Sequence, residues 1–414
     1  MLRFATSPTG DMHIGDLRGA LFNYIISKQR NEDLIIRIED SNKEKNIKGK
    51  DEEILGLLNL FGIEYTQVIY QSESVRFHTA MALQLMHEKQ AFSCFCSTEW
   101  LDKKREEAKL KGQEYKYDDA CGNLPAELVI DNLSPFTIRI AKPTQDNATF
   151  KARDIDSFII MGQDKTPTYN FSCAVDDMLN NISIVIRDED DMNNTPKQIH
   201  IRNALKYEKQ ITYIHLPVIL NNDAVRIKWL LEEGFLPEAI SNYLISITNK
   251  TPKEIFTLSE ATQWLSLENI SKSPTRFDIN MLRHVNNEHL RMLEVKELSR
   301  YVGFADDEIG ELAKVYLEEV STTKELKSKI NAIFTLKVIP QEFTQSAEII
   351  STIIKSAPYF ENYTDFQKYI MEKSGFQKEN ISQPLRFVLT GAQNGPDIDK
   401  IYKYIKNYMG EIVK

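Results

Sequence analysis

Apolar positions fall into two alternating periods along the first forty residues. Leu2 to Ala5 is a short apolar run, and Leu34 to Ile38 reads as a buried strand. Between them Leu17 to Lys28 carries helical spacing, and Ser7-Pro8-Thr9-Gly10 breaks the chain after the first run, because Pro and Gly punctuate structure. This order predicts a βαβ unit with parallel strand pairing. Ile54, Leu55, Leu57, Leu58 and Phe61 then form a helical stripe. From Ala91 to Pro167 the pattern is mixed: cysteines, a charged helix over Leu101 to Lys111 and short strands point to an inserted domain. Strand signals return at Ser157 to Met161 and at Ile182 to Arg187. From Asp223 onward helices dominate, with amphipathic stretches at Trp229 to Leu231 and at Ala239, Ile240, Tyr243 and Leu244. Beyond Leu298 the pattern is nearly all helical. No internal repeat or low-complexity tract is present. The expected order is an α/β half, an insert, a second α/β portion and helical domains, and split sheets of this kind bind ligands at the C-terminal ends of their strands.

Length and composition bound this picture. A chain of 414 residues exceeds one ordinary core and predicts two to four domains. With 42% hydrophobic and 27% charged residues it reads as a soluble globular protein. No run of eighteen apolar residues predicts a membrane span. The opening MLRFATSPTG lacks the layout of a secretory signal, and four cysteines do not make a disulfide framework, so a reducing, cytoplasmic setting is expected. The formal net charge of −9 argues mildly against a nucleic-acid partner. Basic residues nonetheless cluster at Lys43, Lys45, Lys48 and Lys50, and at Lys103, Lys104, Arg105, Lys109 and Lys111; on charge alone both stretches read as solvated helix faces.

The segment Ser7 to Gly15 (SPTGDMHIG) sits at the strand–helix junction, where an open parallel sheet faces its ligand crevice. Gly10 and Gly15 allow the backbone close to a phosphate chain, and a helix starting near Gly15 would offer unpaired N–H groups to an anion. His13 can donate a hydrogen bond to a phosphate oxygen as charge develops. At the far end of the second strand, Arg37, Glu39 and Asp40 by themselves read as an ordinary ion-pair cluster. Cys94, Cys96 and Cys121, with Tyr117, have a spacing suited either to a metal site or to buried thiols acting as small hydrophobes.

Taken together, these strings resemble the glutamyl-tRNA synthetases, class I enzymes of the bacterial glutamate and glutamine subgroup, over nearly the whole chain. Ser7 to Gly15 is similar to their HIGH signature. Thr166 to Gln198 is similar to their longest shared block, and Lys228 to Ala239 to another. The resemblance implies an α/β Rossmann-type catalytic domain split by an inserted α+β domain and followed by all-α anticodon-binding domains. The implied division is a first catalytic half at 1–90, an acceptor-end-binding insert at 91–165 and a second catalytic half at 166–222. A helical stem-contact region at 223–295 and a helical anticodon-binding region at 296–414 follow. It implies activation of L-glutamate by ATP with Mg2+, transfer to the 3′ end of tRNA, and action as a monomer. His13 and Gly15 are the implied catalytic positions. Arg3, Ala5, Ser7, Glu39, Tyr169 and Arg187 are the implied glutamate site, with Arg3 on the side-chain carboxylate and Glu39 on the ammonium. Gly10, His13, Gly15 and Glu189 are implied for ATP. Cys94, Cys96, Tyr117 and Cys121 match the zinc-binding insert of some members, with Asn123 where a histidine is sometimes found. Pro384 to Gly391, with Gly395-Pro396, resembles a block of the anticodon region and reads as turn chemistry.

Departures from the family accompany the match. Thr6 replaces Pro and Asp16 replaces Gly; Asp16 also suits the first turn of a helix, where a negative charge complements the dipole. The family's R-G-E-D-H reads Arg187-Asp188-Glu189-Asp190-Asp191, which adds negative potential near a nucleotide. The second class signature, K-M-S-K-S, is absent after His215 to Asn221, and Ile270 to Ser273 lies too far downstream to replace it. Either the loop is deleted or the sequence joins the flanks of an omitted mobile loop. A second shortening around Lys142 to Asp154 favours the latter, which predicts a break near residues 221–225. Alternative functions are a catalytically weak tRNA-binding paralogue and a variant that charges glutamine tRNA with glutamate. The short relative that glutamylates a tRNA base lacks the anticodon region that this chain has.

Overall fold

A computed structural model describes residues 1–220 and 225–413. The expected break falls on 221–225, of which all but Val225 lie outside the described residues. The chain divides into two compact units: Met1–Asn222 with Thr248–Lys250 and Ser259–Arg276, and Asp223–Ile247 with Thr251–Leu258 and Phe277–Lys414.

The first unit opens with β1 (Leu2–Thr6), α1 (Ile14–Arg30) and β2 (Leu34–Ile38). The helix begins three residues before the expected Leu17, because His13 caps it: the His13 ring accepts the N–H groups of Gly15 and Asp16, and Asp16 accepts the His13 N–H. It runs past Lys28 to end at Asn31, whose φ of 52° is the left-handed conformation that a short polar side chain tolerates. There follow α2 (Lys50–Leu60), β3 (Gln67–Tyr70) and α3 (Val75–His87). Then come β4 (Ala91–Cys94), α4 (Thr98–Leu110), α5 (Ala126–Ile130), β5 (Thr137–Ile140) and β6 (Phe158–Met161). The unit continues through α6 (Tyr169–Leu179), β7 (Ile184–Asp188), α7 (Thr195–Ala204) and β8 (Thr212–Leu216).

The main sheet is parallel, in the order β3-β2-β1-β7-β8. All five residues of β2 are buried, as expected of a strand covered on both faces. A separate antiparallel sheet, β4-β5-β6, lies within the stretch between the two halves of the main sheet. The basic helix α4 is the solvated face expected, laced by Lys104–Glu107 and Arg105–Asp102 pairs. The cluster from Lys43 to Lys48 is a correction: it lies in the connection before α2, not on a helix, and only Lys50 enters α2, paired with Asp11 and Glu53.

The second unit is helical, with a core that includes Leu298, Leu312, Leu326, Ile350, Phe366 and Leu385. Gly391 ends the helix Lys378–Thr390 at φ 70°, and a Cβ there would meet the Ala332 carbonyl oxygen at 2.7 Å, so the turn chemistry holds at this residue. At Pro384 the expectation fails: the proline lies inside that helix, where it forgoes the bond to the carbonyl four residues back. Among the described residues no helix is long and apolar enough to cross a membrane.

Candidate active site

Strand order reverses direction at β1, which has β2 on one side and β7 on the other. Ligands of open parallel sheets bind outside the strand ends at such a switch point. Register brings the relevant residues level: Ala5 stands beside Arg37, and Arg187 beside His215. Tyr169, Cys173 and Asp177 recur every fourth residue on α6 and so share one stripe.

That stripe meets the sheet through buried charge. Asp177 Oδ1 accepts from Arg37 Nη1 at 2.6 Å and from Arg3 Nε at 3.2 Å. Arg37 Nη2 lies 3.3 Å from Glu39 Oε1, and the Cys173 thiol donates to the same oxygen at 3.2 Å. Burial alone would push the Asp177 carboxyl up, but Arg3 and Arg37 hold it below its usual value. Burial, with Glu39 adding to it, keeps Cys173 a neutral thiol. Glu39 itself is partly buried, just past the end of β2. Asp40 does not join this cluster; it accepts from the Ser72 backbone and hydroxyl instead. Arg3 is anchored through Nε, and its terminal nitrogens make no further hydrogen bond among the described residues.

Arg187 is held differently. It is 7% exposed, and its Nη1 and Nη2 donate to Gln198 Oε1 at 3.2 Å and Thr195 Oγ1 at 2.8 Å. Nε is buried without a partner, and no carboxylate pairs with this guanidinium among the described residues. Thr195 Oγ1 also lies 3.0 Å from His215 Nε2. Burial, then the Arg187 charge, pushes the His215 imidazole down from its usual value. Gln198 passes the orientation on to Asn170, Asn194 and Asp191. Tyr169 reaches the same Asp191 with a long 3.5 Å contact and is 43% exposed. Partial burial, then Cys173 and the carboxylates Glu39 and Asp191, raises its phenol.

At the junction of β1 and α1 the arrangement is built around His13. Its Nδ1 accepts from Gly15 N at 3.1 Å and Asp16 N at 3.2 Å, so the ring proton resides on Nε2, 3.3 Å from Asp16 Oδ2. The expected unpaired N–H groups at Gly15 and Asp16 are therefore a correction: the ring of His13 occupies them. A Cβ on Gly15 would meet that ring at 3.0 Å and Asp188 Oδ2 at 3.1 Å, whereas one on Gly10 would meet nothing within 4 Å. A side chain at Gly15 would thus need the His13 ring or Asp188 to give way slightly, whereas one at Gly10 would enter open space. Arg18, 1% exposed and one turn beyond Gly15, donates to Asp188 at 2.9 Å and to the Pro217 carbonyl at 2.6 Å. It ties α1 to the ends of β7 and β8. Ser7 lies exposed just past β1, and Glu189 opens the short turn after β7.

The cysteine set also assembles. The sulfurs of Cys94, Cys96 and Cys121 lie within 4.8 Å of one another, and Tyr117 OH is 3.5 Å from Cys94 and 3.4 Å from Cys96. Three sulfurs this close, with a phenol oxygen beside two of them, are a donor set that a tetrahedral zinc ion could use. A cavity of about 330 Å³ lies elsewhere, lined by Ser27, Asn31, Glu32 and Tyr65 at the opposite ends of the strands. It contains none of these groups.

Sequence reasoning did not single out Asp177, Cys173, Gln198, Thr195, His215 or Arg18 as site residues. The Asp176-Asp177 pair in the apolar helix Phe171 to Leu179 was a usable signal, since paired carboxylates in a buried stripe demand cations.

A family model for class I tRNA synthetases (E and Q), catalytic domain, matches residues 1–284. Glutamate–tRNA ligase 2 of Sulfurimonas denitrificans is 64% identical, and glutamate–tRNA ligase 1 of a Nitratiruptor species 48%, each over the full length of both chains. Both comparisons extend over 432 positions against 414 residues here, so at least 18 positions of those alignments have no counterpart in this chain. The crystal structure of a glutamate tRNA ligase from Elizabethkingia meningosepticum in complex with its amino acid superposes with a TM-score of 0.82 at 21% identity. It covers 100% of this chain and 98% of that one, and shows the fold alone.

Proposed function

The chain belongs to the class I tRNA synthetases of the E and Q type, and from that premise we propose that it activates L-glutamate with ATP and transfers it to the 3′ end of tRNA. One observation carries the assignment of the amino-acid site: Arg187 is a buried cation without a carboxylate. Leaving a charge buried and unpaired costs several kcal/mol, so an anionic ligand is the natural complement. The side-chain carboxylate of glutamate is assigned to Arg187 and to the terminal nitrogens of Arg3, a pairing that guanidinium forks favour. Glu39 takes the ammonium group, with Oε1 steadied by Arg37 and Cys173. Tyr169 packs on the aliphatic stem, and Ala5 and Ser7 leave room for the backbone.

The α-carboxylate then attacks the α-phosphate of ATP, forming glutamyl adenylate as pyrophosphate leaves. The terminal ribose 2′-hydroxyl attacks the acyl carbon and AMP leaves. Much of the acceleration is positioning. The Nε2–H of His13 donates to a phosphate oxygen once Asp16 releases it, and Gly10, Gly15 and Glu189 border the nucleotide. Mg2+ accompanies ATP and offsets phosphate charge. Zinc on Cys94, Cys96, Tyr117 and Cys121 would stabilise the insert, which we assign to the acceptor end. Residues 223–295 contact the stem and 296–414 the anticodon, and the enzyme acts as a cytoplasmic monomer.

A second reading, a catalytically weak tRNA-binding paralogue, is favoured by two features: the K-M-S-K-S lysine has no counterpart, and Asp16 and Asp188 stand at the nucleotide end. Glutamate-dependent ATP–pyrophosphate exchange, run with and without tRNA, separates the two. Exchange supports the ligase, and its absence under both conditions supports the binding module. Charging of purified glutamate and glutamine tRNAs then decides which is the substrate.

A further inference from the structure

We infer that Arg139 is the charge-balancing partner of the zinc centre, a positioning residue without which the cysteine set holds its metal weakly. The inference rests on the zinc reading above. Arg139 lies on the central strand of the small sheet, level with Phe92 on β4 and Ile159 on β6. It is 5% exposed. Its Nε donates to Cys94 Sγ at 3.2 Å, its Nη1 donates to the Ser157 carbonyl at 3.0 Å, and its Cζ stands 3.9 Å from the centre of the Tyr117 ring. No carboxylate pairs with it among the described residues.

A guanidinium in such a place needs an anion. Groups able to provide one are the thiols it touches or faces. A divalent ion bound by three thiolates and a neutral phenol carries one net negative charge, which a single guanidinium balances. The hydrogen bond from Nε also fixes the direction of the Cys94 sulfur, and the cation over the Tyr117 ring holds the fourth donor in place. Outer partners of metal ligands of this kind are worth roughly 10- to 100-fold in affinity.

The test is metal content and affinity of the full chain, measured by elemental analysis and by competition with a chromophoric chelator. Wild type should hold one zinc per chain. Arg139→Gln and Arg139→Met remove the charge by two routes, so one suffices if the other does not fold. Either should bind zinc at least about 10-fold more weakly. Arg139→Lys, which keeps the charge, should recover most of the affinity. Neutral variants that bind like wild type overturn this inference and leave the zinc reading standing, as does a Lys variant no better than the neutral ones. Wild type that binds no zinc overturns both.

Discussion

Two buried arginines on neighbouring parts of one sheet are treated in opposite ways. Arg37, on β2, is fully buried and shares Asp177 with Arg3 while touching Glu39, so its charge is answered within the protein. Arg187, on β7, is nearly as buried yet rests on the neutral oxygens of Gln198 and Thr195. Burial of a charge is costly in both places, but only at Arg37 does the fold supply the compensation. Under the proposed function the difference separates scaffold from site: the answered charge holds α6 against β1 and β2, and the unanswered one awaits the substrate carboxylate.

The comparison can be broken most forcefully at its scaffold side. Asp177→Asn leaves Arg3 and Arg37 without their shared carboxylate and should destabilise the protein by about 3–5 kcal/mol in urea unfolding. The pH dependence has the matching sign. Because the folded value of Asp177 lies below the unfolded one, its stabilisation is complete above pH ~4 and is lost as pH falls through the folded value. The variant should lack this acid-side decline. At the site side, Arg187→Gln should cost about 2–3 kcal/mol in glutamate kcat/KM, roughly a hundredfold, since a hydrogen-bonded charge pair with the substrate is lost. Its urea midpoint should stay the same or rise, because a buried uncompensated charge has been removed. An equal loss of stability in both variants would erase the distinction.

Smaller changes sharpen it. Thr195→Val deletes one neutral acceptor of Arg187 and its bond to His215. It should raise glutamate KM by about 5- to 10-fold, or ~1 kcal/mol, while leaving KM for ATP unchanged. Asp191→Asn touches only the long Tyr169 contact and the end of the amide chain, and should change glutamate KM by less than about twofold, a few tenths of a kcal/mol.

Much of this was legible in the chain itself. The first βαβ unit followed from the apolar runs at Leu2 and Leu34 and the break at Ser7 to Gly10, because a parallel sheet writes continuous apolar strands. Arg3, Glu39 and the cysteine set were placed by resemblance to the family, and the structure brings Cys94, Cys96, Tyr117 and Cys121 together. The strand β3, Gln67–Tyr70, carries little of that signal, since none of its residues is fully buried. Partners far apart in sequence were not legible either. Asp177 meets Arg3 across 174 positions and Arg37 across 140, and no local periodicity encodes such a pairing. His13 shows the limit in miniature. Its motif was read as a junction suited to phosphate with open N–H groups, but in the fold its ring already accepts two of those groups.

The most direct measurement is calorimetric titration of glutamate and glutamine into the wild-type chain and Arg187→Gln. The account predicts that wild type prefers glutamate strongly and that the variant loses the preference while melting at or above the wild-type temperature. A variant that still prefers glutamate, or a wild type that does not, would contradict it.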